Sequence, residues 1–368
     1  MSFGFGIVGC GVIAPTHVEV VRALPNAHLV GVTDVVGDRA AALAAEPAAL
    51  EAAGGAVKVY PQLAAMLADP AVEVVSVCVP SGLHAEIGVE AARAGKHLVI
   101  EKPIDVTLEA ADRLVAAAAG SGVAMTVISQ HRFDPGHRRL HELLRSGTLG
   151  RPVLAEAVVK WYRSQAYYDS GAWRGTWALD GGGSVMNQGV HYVDLIRWLM
   201  GPVASISAVC ATQAHERIEV EDVALATVRF ESGAVGLIEA TTVAFPGFAA
   251  RIELTGTAGT VIVTDGVITT EELVAERPEV GAYGTGGRSE PGRPGGVVVG
   301  VAAADPAAVG HSGHLAQIDD FLGAIEQGRQ PLVTGEEGRA TLAVVRALYD
   351  SASRGVPVTP AAAPGAAG

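Results

Sequence analysis

Phe5–Val8 is a short apolar run that reads as a strand, and it leads directly into Gly9-Cys10-Gly11-Val12-Ile13-Ala14. Glycine at position 9 allows a tight turn, glycine at 11 lets a bound group approach the backbone, and alanine at 14 keeps the next helix close to the sheet. Twenty residues after Ala14, Asp34 follows a second β-branched run, His28–Thr33. Strand, glycine turn, helix and acid at that spacing make a dinucleotide fingerprint. The helix N-terminus attracts the pyrophosphate and the carboxylate accepts the ribose hydroxyls. Gly9, Gly11, Val12, Ile13 and Asp34 are therefore assigned to cofactor binding. A carboxylate at 34 repels a ribose 2′-phosphate, and Val35-Val36-Gly37 offers no cation beside it, so NAD rather than NADP is expected. His17 is compatible with helix packing or with a cofactor contact.

The chain beyond this motif keeps the same rhythm for its first third. Val74–Val79, His97–Ile100 and Val123–Ser129 read as strands, with helices such as Ala85–Ala94 and Leu108–Ala118 between them. Strands that alternate with helices and are apolar throughout belong to a parallel sheet buried on both faces. After about Phe133 the pattern changes. A polar helix, His137–Ser146, precedes a strand-like run, Pro152–Trp161, and further β-type runs extend from Ile206 to Thr270. Hairpin signals separate these runs at Ser232-Gly233, Gly256–Gly259 and Asp265-Gly266, which requires antiparallel neighbours. Pro278–Gly300 reads as a long Gly/Pro-rich loop, and helical patterns return over His314–Gln327 and Glu336–Arg354. The expected fold is α/β plus α+β. A doubly wound parallel Rossmann domain spans 1–128, an α+β domain on one large, mainly antiparallel open sheet spans 129–358, and a flexible tail spans 359–368.

Composition narrows the function classes. Hydrophobic residues make up 49 % of the 368 and charged residues 18 %, enough for a sizeable core. No run approaches the roughly 18 apolar residues of a membrane span, and the Met-Ser-Phe-Gly start lacks an export signal. Three scattered cysteines, Cys10, Cys78 and Cys210, give neither a disulfide framework nor a structural zinc site and fit a cytoplasmic protein. A formal charge of −13 disfavours nucleic acid as a partner. No metal is expected: His137 and His141 share a helix face, but no third ligand is evident, and a solvated face explains them.

Two clusters carry the chemistry. One strand ends in Val79-Pro80-Ser81-Gly82-Leu83-His84 and the next in Glu101-Lys102-Pro103, at the sheet edge where open α/β folds bind ligands. The other is Gly181-Gly182-Gly183-Ser184-Val185-Met186-Asn187-Gln188-Gly189-Val190-His191-Tyr192-Val193-Asp194, with Ser184 as the expected N-cap. Asn187, His191 and Asp194 would share one face of a helix, and Gly189 within it suggests close approach by a ligand or another backbone.

In these segments, together with Gln317-Ile318-Asp319-Asp320-Phe321, the chain resembles the Gfo/Idh/MocA family, the glucose–fructose oxidoreductase and inositol dehydrogenase-like enzymes. The resemblance implies a Rossmann domain, an open-sheet domain often buried in dimers or tetramers, and Lys102 with His191 as the catalytic pair. Inositol dehydrogenase-like members carry aspartate four residues before that histidine, where this chain has Asn187. Asn187 is assigned to substrate orientation, and Asp194 remains the acidic neighbour of His191. Val79, Pro80, His84, Glu101 and Lys102 complete the expected cofactor set.

Aromatics are only 5 % of the chain, yet they cluster in Trp161–Trp177. Arg132, Arg163, Tyr168 and Trp173, with Asn187, Gln188 and His191, are the expected substrate contacts. An uncharged or weakly charged cyclic polyol suits such a surface, and a nucleotide sugar would meet Arg163 or Arg174 with its phosphates. Gly310-His311-Ser312-Gly313-His314 is a further candidate to reach the site. The expected activity is NAD-dependent oxidation or reduction of a secondary hydroxyl on a sugar, glycoside or cyclitol, in a homodimer or homotetramer. Inositol 2-dehydrogenase, redox-neutral glycoside elimination and a non-catalytic NAD sensor are the alternatives.

Overall fold

The computed structural model describes residues 2–274 and 311–364. The expected loop over Pro278–Gly300 lies outside the described residues, as do Gly310 and residues 365–368. Six strands form the first sheet: β1 (Phe3–Val8), β2 (Ala27–Thr33), β3 (Lys58–Val59), β4 (Val74–Val77), β5 (His97–Ile100) and β6 (Met125–Val127). Their order is β3-β2-β1-β4-β5-β6 and every pair is parallel. β1 and β4 are buried along their whole length, as strands covered by helices on both faces must be. The order reverses between β1 and β4, so the binding crevice lies at their carboxyl ends, where Gly9 and Val79 stand.

Seven strands form the second sheet: β7 (Pro152–Lys160), β8 (Val203–Ala211), β9 (Val223–Phe230), β10 (Val235–Thr241), β11 (Arg251–Gly256), β12 (Gly259–Thr264) and β13 (Val267–Leu273). The three predicted hairpins all form, and the order is β13-β12-β11-β7-β10-β9-β8. One pair, β7 with β10, is parallel. β7 lies between two strands that follow each other in the chain with a reversal between them, so one must run parallel to it. Residues alternate in exposure along β9: Ala224, Ala226, Val228 and Phe230 face the helices Val190–Met200 and Gly335–Arg354, while Leu225 faces outward. Val209 and Val235 are exposed on neighbouring strands.

The chain then returns to the first sheet. Helix Ser312–Gln327, although it falls in the 129–358 span, packs Ile318, Phe321 and Leu322 into one core with Phe5, Ile7 and Val18. Gln317 Nε2 donates to the Val127 carbonyl at 2.8 Å, and its Oε1 accepts from the Ser129 amide at 2.9 Å, so this helix also buttresses the end of β6. The expected tail is anchored at its start: Val358 bridges Ile206, and Arg339 Nη1 donates to the Ala361 carbonyl. Among the described residues no helix is long and apolar enough to cross a membrane.

Candidate active site

The glycine turn leaves room for a dinucleotide. Gly9 has φ +90°, and a Cβ there would stand 2.6 Å from the Cys78 carbonyl oxygen, whereas nothing lies within 4 Å of a Cβ built at Gly11. Helix Ala14–Ala23 begins just beyond and carries no acid in its first turn, so its N-terminal amides can face a pyrophosphate. Val12 is exposed at the same turn. Asp34 follows β2, and its carboxylate accepts from the amides of Cys10 (2.7 Å) and Val36 (2.8 Å), so it stands beside the turn as the fingerprint requires.

Lys102 follows β5 and reaches toward the second domain. Its Nζ donates to the Asn187 carbonyl at 2.9 Å and to Asn187 Oδ1 at 3.4 Å. Asn187 lies in a π-helical turn, Ser184–Gly189, which passes into the α-helix Val190–Met200. Such turns widen the helix locally and often mark functional sites. The expected regular helix is therefore corrected over its first turn, and Ser184 is not its N-cap. Ser184 Oγ instead meets Glu221 Oε1 and the Ala240 carbonyl. The buried Glu221 carboxylate closes the turn by accepting from the amides of Gly183 and Val185, both at 2.9 Å. At Gly183 a Cβ would stand 1.7 Å from the Glu221 carbonyl oxygen, and at Gly189 3.0 Å from Ala240 Cβ. The close approach at Gly189 is to strand β10, not to a ligand.

His191 and Lys102 line one cavity, with Ser129, Asp194 and Thr341 among its other walls. Burial, then the charges of Lys102 and His131, hold the His191 imidazole well below its ordinary pKa. Its ring lies 5.2 Å from that of His131, edge to face, and His131 Nδ1 bonds Asp134 Oδ2 at 2.7 Å. Burial also lowers the Lys102 pKa; Glu101 and Asp180 oppose that shift, while Arg174 and Arg163 reinforce it. Glu101 is buried at a hub. Its Oε1 lies 2.9 Å from His17 Nε2 and 3.5 Å from His314 Nε2, and its Oε2 accepts from the Lys102 amide. His17 and His314 are thus partners of Glu101, with edge-to-face rings 5.9 Å apart.

The aromatic segment folds beside this pair. Arg174 stacks between Tyr167 (4.3 Å) and Trp173 (4.5 Å), and Arg163 lies over Trp161 (5.3 Å) and Tyr167 (5.5 Å). Gln188 Nε2 donates to the Tyr167 hydroxyl at 3.2 Å.

Residues 3–129 match the family model of oxidoreductases with an NAD-binding Rossmann fold, and residues 137–262 match the GFO/IDH/MocA C-terminal domain. The WlbA dehydrogenase of Bordetella pertussis, solved with NADH and UDP-GlcNAcA, is 32 % identical with a TM-score of 0.81, over 98 % of this chain and 100 % of the other. This chain belongs to the Gfo/Idh/MocA family. Two further members it resembles are the myo-inositol 2-dehydrogenase of Thermotoga maritima and the 1,5-anhydro-D-fructose reductase of Ensifer adhaerens. The first is 26 % identical over 92 % of both chains, and the second 28 % identical over 95 % of this chain and 96 % of the other. The protein is an oxidoreductase with an NAD-binding Rossmann domain.

Within this Gfo/Idh/MocA fold several expected site residues have other partners. Arg132 is 1 % exposed and clasps Asp194, so it is not placed to meet substrate, and Asp194 is an ion-pair partner more than a neighbour for His191. Tyr168 is buried, donating to or accepting from Thr242 Oγ1 at 2.9 Å and packing on His215; its neighbour Tyr167 faces the arginines instead. His84 is buried with Nδ1 2.7 Å from the Pro103 carbonyl and Nε2 2.9 Å from the Val79 carbonyl, tying the two strand-end loops together. Val79 and Pro80 stand at that same edge, partly exposed. His137 is wholly buried against the His131 carbonyl and His141 stacks on Trp198 at 4.1 Å, so the pair is neither a solvated face nor a shared metal site. Sequence reasoning missed His131 and Asp180. His131 sits just past β6, at the carboxyl edge where open α/β sheets bind ligands, and that position was the available signal.

Proposed function

We propose that the protein is an NAD-dependent dehydrogenase acting on a secondary hydroxyl of a sugar or cyclitol. The observation that carries this reading is the meeting of Lys102, from the end of β5, with Asn187 and His191, from the second domain. Bound NAD supplies the hydride acceptor in oxidation. The neutral imidazole of His191 takes the hydroxyl proton, and the Lys102 ammonium stabilises the developing alkoxide. Asn187 orients the hydroxyl beside them. Gly9, Gly11, Val12 and Ile13 hold the cofactor's pyrophosphate, and Asp34 holds its adenosine ribose.

An acidic sugar is a second reading, favoured by the two guanidiniums of Arg163 and Arg174 close enough to bias Lys102. The WlbA dehydrogenases of known structure bind UDP-GlcNAcA. The uncharged polyol expected from aromatic content alone takes no account of that positive field. The exposed apolar side chains Val209, Leu225 and Val235 on the open sheet support assembly as a homodimer or homotetramer, and the cysteine pattern supports a cytoplasmic setting. The test is spectrophotometric NADH formation with neutral hexoses, inositols, hexuronic acids and nucleotide-linked hexuronates. Net NADH with one class is expected. Transient reduction without net NADH indicates elimination, and no reduction with any class overturns the reading.

A further inference from the structure

Lys102 is an ammonium in a partly buried position, and such a charge is favoured by a counter-charge. The carboxylates around it are mostly committed. Glu101 is engaged by His17 and His314, and Asp194 by Arg132. Arg163, Arg174 and His191 face Lys102 from the second domain and add positive charge or a proton-accepting ring. Glu101 and, after it, Asp180 are the acids that favour the Lys102 charge, and Asp180 is the one on the second domain.

Asp180 is 1 % exposed and lies in the loop between Trp173 and the π-helical turn. Its Oδ2 accepts from the Gly175 amide at 2.8 Å, and its Oδ1 accepts from Asn187 Nδ2 at 2.6 Å. An amide held between a carboxylate and an ammonium has one workable orientation: NH₂ toward the carboxylate, oxygen toward the ammonium. That is how Asn187 stands, with Oδ1 3.4 Å from Lys102 Nζ. We propose that Asp180 is a positioning residue for Lys102, acting through Asn187: it locks the amide with its oxygen toward the ammonium and supplies the negative charge that keeps Lys102 protonated. This rests on the reading of Lys102 as a catalytic group.

Asp180→Asn removes the charge and leaves one oxygen for two donors, the Gly175 amide and Asn187 Nδ2, so the lock on the Asn187 amide is weakened. The first measurement needs no sugar. The pH dependence of Lys102 acylation by an amine reagent is followed by mass spectrometry in the NAD-bound enzyme. Asp180→Asn should move the midpoint down by about one unit, the low end of the effect of an opposite charge. Asn187→Ala, which cuts the link, should move it the same way. Asp180→Asn with Asn187→Asp puts a carboxylate against Lys102 directly and should return the midpoint to the parent value or above. With a sugar substrate, the alkaline limb of kcat should shift with the midpoint, while NAD affinity holds. A midpoint unchanged in both Asp180→Asn and Asn187→Ala overturns the proposal, whatever happens to turnover. If no sugar is turned over, the functional reading fails while the labelling result still decides the role of Asp180.

Discussion

Arg132 grips Asp194 through two parallel hydrogen bonds, Nε to Oδ2 at 2.7 Å and Nη2 to Oδ1 at 2.6 Å, with both side chains almost wholly buried. Arg132 Nη1 also lies 2.8 Å from Glu337, and Thr341 Oγ1 donates to Asp194. Breaking such a pair strands a buried charge at a cost of about 3–5 kcal/mol. Arg132→Leu should therefore lower the midpoint of denaturant unfolding sharply. Arg132→Leu with Asp194→Leu should recover much of the loss. A substrate role for Arg132 would instead raise KM and leave unfolding unchanged.

The catalytic pair predicts a divided response. Lys102→Met and His191→Ala should lower kcat by about 100-fold or more while NAD affinity, read by fluorescence titration, changes little. The depressed pKa of His191 places the acid limb of the oxidation profile below the ordinary histidine value of about 6.5. Removing the Lys102 charge relieves part of that depression, so the residual activity of Lys102→Met should show its acid limb at higher pH. An acid limb at or above the ordinary value in the parent enzyme would remove His191 from the role of base.

His17 and Glu101 give the fold a pH signature. Burial opposes charging the His17 ring, but Cys78 and Glu101 outweigh it and raise its pKa. Burial pushes the Cys78 thiol up, and Glu101 is the carboxylate within hydrogen-bond reach of the ring, its Oε1 2.9 Å from His17 Nε2. Glu101, with burial against it and both histidines for it, is held well below the usual carboxylate range. A raised histidine stabilises fully below its unfolded pKa of about 6.5 and loses that contribution as pH rises through its folded value. The lowered Glu101 stabilises above about 4.3 and loses its part as pH falls through its folded value. The Tm gap between the parent and His17→Gln should be widest between these limits and narrow toward alkaline pH. A gap that widens on the alkaline side would show the ring to be buried neutral.

Asp34 predicts selectivity for NAD. Calorimetric titration should show tighter binding of NAD than NADP, and Asp34→Ser should narrow the gap by removing the repulsion without adding a phosphate partner. Tighter NADP binding by the parent protein would contradict the assignment.

Arg174 predicts a charge preference. Arg174→Ala should raise KM for a hexuronate or nucleotide-linked sugar more than for the matching neutral hexose. Equal effects would leave Arg174 as a stacking surface only.

Most of the framework was legible because each feature depended on neighbours in sequence. The glycine turn, Asp34, the strand ends at Val79 and Glu101, and the three hairpins are local signals. β3 escaped notice since two exposed residues, Lys58 and Val59, carry no burial pattern. The π-helical turn escaped for a different reason: it is closed by Glu221, whose place in the chain gives no hint of that contact. Tyr167 and Tyr168 share one short helix, Gln165–Asp169, and send their rings to different neighbours, which composition cannot sort. Arg132 reads in the sequence as one of the aromatic and basic residues suited to a sugar; its partner, Asp194, lies 62 residues on.

The return of helix Ser312–Gln327 to the first sheet sets the order in which this protein can be completed. Phe5, Ile7 and Val18 are synthesised before the second sheet, yet Ile318, Phe321 and Leu322, which finish their packing, come after all of it. Until then the nascent Rossmann sheet carries an open apolar seam on one side. Polypeptide stopped after β6 would hold the full nucleotide fingerprint and still expose that seam to self-association. Nucleotide binding and a sealed core are thus encoded in segments separated by the whole second sheet, and synthesis must pass through that sheet before the first domain is whole.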